Sequence, residues 1–407
     1  MQSTAPVVLV GGGHAAAAFV NSVRRAGYAG PVVLVSDEPV LPYHRPPLSK
    51  KYLADSLPVE QILIRAAAWY QEQQIELRLN TRAEAIDRAA RRVRLSDGSQ
   101  LDYSRLVLLT GATPRRLPAA LGGDLRHVLP MRSLADADAL APHLLAGKRL
   151  LVVGGGYIGL EAAAVAAGRG LQVTLLEAAP RILQRVAAPA TADWFRKLHR
   201  SHGVDLREGA GLRRLLAEDG RVCGAELEDG SRIDADVVLV GIGVTPNVEL
   251  AQACGLTVDN GIAVDAHCRT SDPLILAAGD CCSFDYRGQR IRLESVQNAN
   301  DQAAVAAHTV AGQDKPYAAL PWFWSDQYDC KLQIAGLNLG YDDVVLRPGK
   351  TERSQSVWYY RGEQLLAVDA INDAAAFVVA KKLLERGASV PKAAVADPAS
   401  EFKTWLS

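Results

Sequence analysis

Cysteine is sparse in this 407-residue chain and poorly placed for metal or disulfide chemistry. The six cysteines fall at 223, 254, 268, 281, 282 and 330, with no CxxC spacing and none before Cys223. This excludes a disulfide framework and a zinc or iron–sulfur ligand set, so no metal and a cytoplasmic setting are expected. Cys281 and Cys282 are adjacent; a bridge between neighbours strains the backbone, so they read as packed thiols. An excess of one charge is also lacking. Lys plus Arg and Asp plus Glu number 45 each, which gives no bulk argument for nucleic acid or an anionic membrane. Long apolar runs are missing too. The run in MQSTAPVVLV has no basic stretch before it and stops at glycines after four residues, too short for a signal peptide or a membrane span.

Glycine, in contrast, is concentrated in two similar places. VVLVGGGHAAAAF (Val7–Phe19) and LLVVGGGYIGLEAA (Leu150–Ala163) each run from an apolar strand through glycines into an alanine-rich helix. Each is followed by a strand ending in an acid, VVLVSD at Asp37 and VTLLE at Glu177. In the first, Gly11 permits the tight turn, Gly13 leaves room for a pyrophosphate, and Ala16 keeps helix and strand close. His14 and Ala15 open the helix whose N-terminus supplies amides and positive dipole. In the second, Gly154, Gly156 and Gly159 play these parts, with Tyr157 and Ile158 between them. Asp37 and Glu177 would accept ribose hydroxyls. A carboxylate at Glu177 favours NADH, because it would repel the 2′-phosphate of NADPH; no arginine directly follows it, and Arg181 stands four residues on.

The surroundings repeat as well. RRVRLSDGSQLDY and CGAELEDGSRID read as hairpins turning at Asp-Gly, each feeding a buried strand that ends in TGATPR (110–115) or GIGVTPN (241–247). PVLPYHRPPLSK (39–50) holds four prolines and must be an irregular loop. LILAAGDC (274–281) and a helix near Ser295 return to the first type of domain, so the second is expected as an insertion in it. From Pro321 alternating runs predict a small antiparallel sheet with a helix. The expected class is α/β: two Rossmann-like dinucleotide-binding domains of the three-layer ββα type plus a C-terminal α+β domain. The boundaries are 1–110 with 245–320, then 111–244, then 321–407.

Two dinucleotides in one chain imply electron transfer between them. A resident flavin needs contacts from distant chain segments, whereas a nicotinamide that enters and leaves suits a compact module. FAD is therefore assigned to the first fingerprint and NADH to the second.

Seven segments carry a family resemblance across nearly the whole chain: LPYHRPPLSK (41–50), TGATPR (110–115), VVGGGYIGLE (152–161), GIGVTPN (241–247), AAGDC (277–281), RLESVQNANDQA (292–303) and PWFWSDQYDCKLQIAG (321–336). The sequence resembles the FAD-dependent, NADH-linked ferredoxin reductases of bacterial cytochrome P450 and aromatic-dioxygenase systems, on a glutathione-reductase-like fold. The resemblance implies hydride transfer from NADH to FAD, then single electrons to the [2Fe–2S] cluster of a small acidic ferredoxin. It implies a Lys50–Glu161 pair beside the flavin ring, acting by position and charge. It adds Arg82, Ala83, Thr110, Gly111, Arg115, Arg132, Asp280, Val296 and Trp324 to the FAD set, with Trp322 competing for the last role, and Gly243 to the NADH set. Disulfide reductases of this fold carry CxxxxC after the first fingerprint; here LPYHRPPLSKKYL has no cysteine, so electrons must leave for an outside acceptor. Arg45, Arg65, Arg347 and Lys350 are candidates for docking that acceptor, with the chain a monomer or weak dimer. A rubredoxin reductase and an NADH oxidase of the same fold are the alternatives.

Overall fold

The computed structural model describes residues 5–55 and 57–406. They form two compact units: residues up to Arg45 with Pro58–Thr113 and Val244–Ala319, and Pro46–Leu57 with Pro114–Gly243 and the chain from Leu320. The segment Pro46–Leu57, which carries Lys50, thus groups apart from the residues on either side of it.

In the first unit, five parallel strands lie in the order Ile275–Ala277, Arg105–Leu108, Val7–Val10, Val32–Val35, Ile75–Arg78. Strands covered on both faces need apolar residues at every position, which is why VVLV occurs twice without alternation. Alternate side chains divide between two cores. Val7 and Leu9 pack with Phe19, Val20 and Ala303 of the helices His14–Arg25 and Val296–Val310. Val8 and Val10 pack with Val93 and Leu95 of a three-stranded antiparallel sheet, Ala83–Asp87, Arg92–Leu95 and Gln100–Asp102. This is the ββα sandwich.

The second unit repeats it with strands Asp205–Glu208, Gln172–Glu177, Arg149–Val153, Val237–Val240, Val128–Pro130. Its outermost strand comes from before the fingerprint, whereas the equivalent Ile275–Ala277 comes long after its own. Its antiparallel layer is Leu212–Glu218, Arg221–Leu227 and Arg232–Asp234. The expected hairpins are therefore three-stranded. Their tight turns match: Asp97 and Asp229 each accept the N–H of the serine two residues on at 2.9 Å, with Gly98 and Gly230 both at φ +83°.

The C-terminal part is a five-stranded antiparallel sheet, Trp322–Gln327, Cys330–Gly336, Gln364–Ile371, Gln355–Arg361, Asp343–Pro348, covered by the helix Ala374–Glu385. One expectation is corrected here. Arg347 is no docking cation: it is 7% exposed, and its guanidinium donates to the carbonyls of Val395 (2.9 Å), Asp397 (2.7 Å) and Ser400 (2.6 Å) beneath the rings of Phe402 and Trp405. A tail with little regular structure leaves carbonyls to satisfy, and a planar fork of five donors does so.

Cys268, Cys281 and Cys282 are free, buried thiols, and burial pushes each upward from its ordinary range. The Cys282 thiol donates to Gln302 Oε1 at 3.0 Å. Among the described residues no helix is long and apolar enough to cross a membrane.

Candidate active site

The first glycine turn leaves no room for a side chain at Gly11 or Gly12. Gly11 has φ +127°, and a Cβ there would lie 2.1 Å from the Leu109 carbonyl oxygen. The helix that follows has Gly13 as N-cap with no side-chain cap and no acid in its first turn. A dinucleotide pyrophosphate fits such an end, because its oxygens can take the N–H groups and positive dipole that no side chain neutralises. His14, Ala15 and Ala16 are buried, the His14 ring 5.5 Å from that of His44. Arg45 comes within 3.9 Å of where a Gly13 Cβ would be. It pairs with Glu38 and donates to the Tyr43 hydroxyl at 3.2 Å. Burial pulls its pKa down, but Tyr43, Glu38 and Asp280 outweigh that and raise it, so Arg45 lies among fingerprint residues with its charge already engaged.

The two acid-ended strands differ by one residue. Gly11 N–H donates to Val35 and Gly154 N–H to Leu176, both at 2.8 Å, which makes Ser36 the structural equivalent of Glu177. Asp37 follows one position later and is exposed. Arg82 is exposed and Ala83 buried at the start of the antiparallel layer. The TGAT turn is laced to a residue the sequence reading passed over: Thr110 Oγ1 donates to the Asn247 carbonyl at 2.7 Å, Asn247 Nδ2 returns to Thr110 O at 2.8 Å, and Asn247 N–H donates to Gly111 O. Val296 begins a 15-residue helix capped by Ser295, whose Oγ accepts from the Asn298 N–H.

The second glycine turn is similarly close-packed. A Cβ on Gly154 would lie 2.4 Å from Gly241 O, and one on Gly159 would lie 2.1 Å from Gly154 O, while the space beside Gly156 is open. Glu177 accepts the N–H of Gly155 through Oε2 and that of Ala179 through Oε1, both at 2.8 Å. Arg181 turns its terminal nitrogens to the carbonyls of Ile182 and Gln184. Ile158 is 43% exposed in the first turn of the helix Tyr157–Gly168. Gly243 sits at φ +96°, and its carbonyl accepts the Arg115 N–H at 2.9 Å; the Arg115 side chain is exposed. The Tyr157 ring packs 4.8 Å from Phe323, and its buried hydroxyl has no hydrogen-bond partner among the described residues.

Lys50 and Glu161 meet. Lys50 Nζ stands 2.8 Å from Glu161 Oε2, with the carboxylate side chain 2% exposed and the lysine 18%. Ser49 Oγ donates to the same oxygen at 2.7 Å, and Ser325 Oγ to the other at 2.7 Å. Ser325 and Gln327 are two further residues to which the sequence reading gave no role. Their signal was present, two polar residues at i and i+2 of one strand, but alternation does not say which face is buried.

The remaining expected residues are distributed more loosely. Arg132 gives its backbone N–H to Asp136, which with Ser133 forms the capping box of the helix Leu134–Leu140. Trp324 and Trp322 are both half-buried, 5.6 Å apart. Arg65 is exposed over the Trp69 ring, and Lys350 is exposed.

Comparison with known proteins places this geometry. The model of the pyridine nucleotide-disulphide oxidoreductases matches residues 5–303, and that of the reductase C-terminal domain matches 322–406. A ferredoxin–NAD(P)⁺ reductase of Sphingomonas is 43% identical, covering 98% of this chain and 97% of its own. Putidaredoxin reductase of Pseudomonas putida is also 43% identical, over 94% of this chain and 92% of its own. The chain belongs to the ferredoxin/rubredoxin–NAD(P)⁺ reductases. Among solved structures, the reductase matches the ferredoxin reductase for the CYP199A2 system from Rhodopseudomonas palustris with a TM-score of 0.96 at 41% identity, covering 99% of this chain and 100% of that one. It matches the crystal structure of the covalent putidaredoxin reductase–putidaredoxin complex with a TM-score of 0.95, again at 41%, covering 99% and 98%. The reductase is thus an FAD-binding enzyme that takes electrons from NAD(P)H for a small redox protein.

Proposed function

We propose that this reductase oxidises NADH and serves a [2Fe–2S] ferredoxin that feeds a cytochrome P450 or Rieske-type oxygenase. The observation that carries the reading is the buried Lys50–Glu161 pair, which ties the proline-rich loop to the second fingerprint helix in a segment that contains no cysteine. When bound, FAD supplies the conversion of a two-electron donor into one-electron deliveries. In this reading the domains are 1–110 with 245–320 for FAD, 111–244 for NADH and 321–407 for the C-terminal part. Gly11, Gly13 and the following helix hold the pyrophosphate of FAD, and Gly154, Gly156 and Gly159 that of NADH. Lys50 would supply a positive charge to a reduced flavin, and Glu161 holds the lysine in a dry setting that strengthens the pair.

The choice of NADH rests on Glu177, whose carboxylate is fixed by two N–H groups, and on the engagement of Arg181 with nearby carbonyls. A rubredoxin acceptor is the second reading, favoured by a rubredoxin–NAD⁺ reductase of Pseudomonas putida that is 38% identical over 90% of this chain and 95% of its own.

Stopped-flow reduction of the flavoprotein by NADH and NADPH, followed by turnover with purified [2Fe–2S] ferredoxins and rubredoxins, tests these choices. NADH and a ferredoxin should give the higher kcat/KM; a strong NADPH preference, or turnover with rubredoxin alone, would overturn the corresponding part. Lys50→Ala should slow flavin reduction about tenfold, the loss of a charge-assisted contact of ~1.5 kcal/mol, while FAD content stays near that of the parent.

A further inference from the structure

The carboxylate of Glu161 is the end of a longer chain of buried polar groups. Ser325 Oγ has one proton, and Glu161 Oε1 at 2.7 Å takes it. The Ser325 oxygen must then accept, and Gln327 Nε2 donates to it at 3.2 Å. This orients the Gln327 amide, because the flipped form would set its carbonyl against an oxygen with no proton left to give. Gln327 Oε1 therefore faces His199 Nε2 at 2.8 Å, and that nitrogen carries the imidazole proton. Nδ1 is left as the acceptor for the Tyr328 hydroxyl at 3.3 Å. Every donor points the same way, from Tyr328 through His199, Gln327 and Ser325 to Glu161. Glu161, Ser325, Gln327 and His199 are each 2% exposed or less, so water cannot substitute for a missing member.

The direction has a physical consequence. Four aligned donor dipoles aim their positive ends at one carboxylate, and in a low-dielectric interior such bonds reinforce one another. They hold Glu161 in the rotamer that presents Oε2 to Lys50 and Ser49. We infer that the Tyr328–His199–Gln327–Ser325 chain is a positioning relay that fixes the Glu161–Lys50 pair. The inference rests on the reading that this pair assists the oxidation of NADH. It is an orienting chain and not a proton path, since the Gln327 amide donates a hydrogen bond to Ser325 but neither gains nor releases a proton at ordinary pH. Burial lowers the His199 pKa to about 4, against the raising effect of its bond to Gln327 and with a smaller lowering by His202, so the ring is neutral and keeps one donor and one acceptor nitrogen.

The test uses the FAD-loaded protein and two readouts. One is the acetylation rate of Lys50 at fixed pH, read by peptide mass spectrometry with exposed Lys350 and Lys403 as references. The other is the single-turnover rate of flavin reduction by NADH. Gln327→Leu should raise Lys50 labelling about fivefold, leave the reference lysines unchanged, and slow reduction about fivefold. Ser325→Ala removes only the last donor and should do the same, which keeps the question open to decision if Gln327→Leu fails to fold. In a Glu161→Gln background either change should add less than twofold to both readouts. Unchanged labelling in Gln327→Leu and Ser325→Ala, or full additivity with Glu161→Gln, overturns the relay. A Lys50→Ala protein that NADH reduces at the parental rate overturns the functional reading instead, while the labelling result still decides the relay.

Discussion

Glu177 uses both carboxylate oxygens on backbone N–H groups, which fixes the carboxylate that, on the proposed reading, would accept a ribose hydroxyl. Glu177→Ala should reduce the ratio of kcat/KM for NADH over NADPH by about tenfold, the worth of one charged hydrogen bond plus the lost repulsion; an unchanged ratio would remove Glu177 from nucleotide choice. Gly154 is held at φ +111° with the Gly241 carbonyl where a Cβ would go. Gly154→Ala should therefore either unfold the protein or raise the NADH Kd by more than tenfold in equilibrium titration, since backbone cannot move aside as a flexible side chain can. These single-residue constraints were legible in the sequence because a glycine turn and its acid are local. Asn247 and Ser325 were not, since their partners Thr110 and Glu161 lie more than a hundred residues away in the chain.

The helix Pro189–Ser201 is fastened to the C-terminal sheet at both ends. At its start, Ala188 N–H donates to the Tyr359 hydroxyl at 2.8 Å, and Thr191 donates to Asp369 at 2.7 Å. At its end His199 bonds Gln327. The two fastenings respond to acid in opposite senses. Burial lowers His199 from 6.5 to about 4, so its contribution is whole above pH 6.5 and is lost as pH falls toward 4. Burial raises Asp369 from 3.8 to about 6, so its charged form costs about 3 kcal/mol above pH 6, a cost relieved as pH falls toward 3.8. Between about pH 6 and 4 the two offset each other. Asp369→Asn should make the protein more stable at pH 7 and make its Tm fall more steeply between pH 6.5 and 4; a parallel Tm profile would contradict the assignment. Arg347→Lys should loosen the tail beyond Lys392, detected as faster amide exchange there, without altering the KM for the redox partner, because a point charge cannot serve the carbonyls that the guanidinium fork holds.

At the scale of the whole molecule, equal numbers of acidic and basic residues leave no net field to draw in a partner. On the proposed reading, in which the acceptor is an acidic ferredoxin, its attraction must come from local charge. Arg65 and Lys350 remain exposed, whereas Arg45 is engaged with Glu38 and Arg347 is buried. The KM for ferredoxin should rise several-fold between about 0.05 and 0.5 M salt, as the Debye length shrinks, with the rate of reduction by NADH unchanged. A salt-independent KM would argue for an apolar docking face.

The sequence by itself determined the two sandwiches, their glycine turns and a proline loop without the CxxxxC of the disulfide reductases. Each is written in local patterns: an apolar strand, glycines where a Cβ has no room, and a proline loop without cysteine. Tertiary structure alone decided that the edge strand enters the two sheets from opposite ends of the chain, that Arg347 turns inward to a tail with unsatisfied carbonyls, and that Glu161 closes a relay running back to Tyr328. Those outcomes depend on which distant groups burial brings within hydrogen-bond reach, and no spacing along the chain encodes that distance.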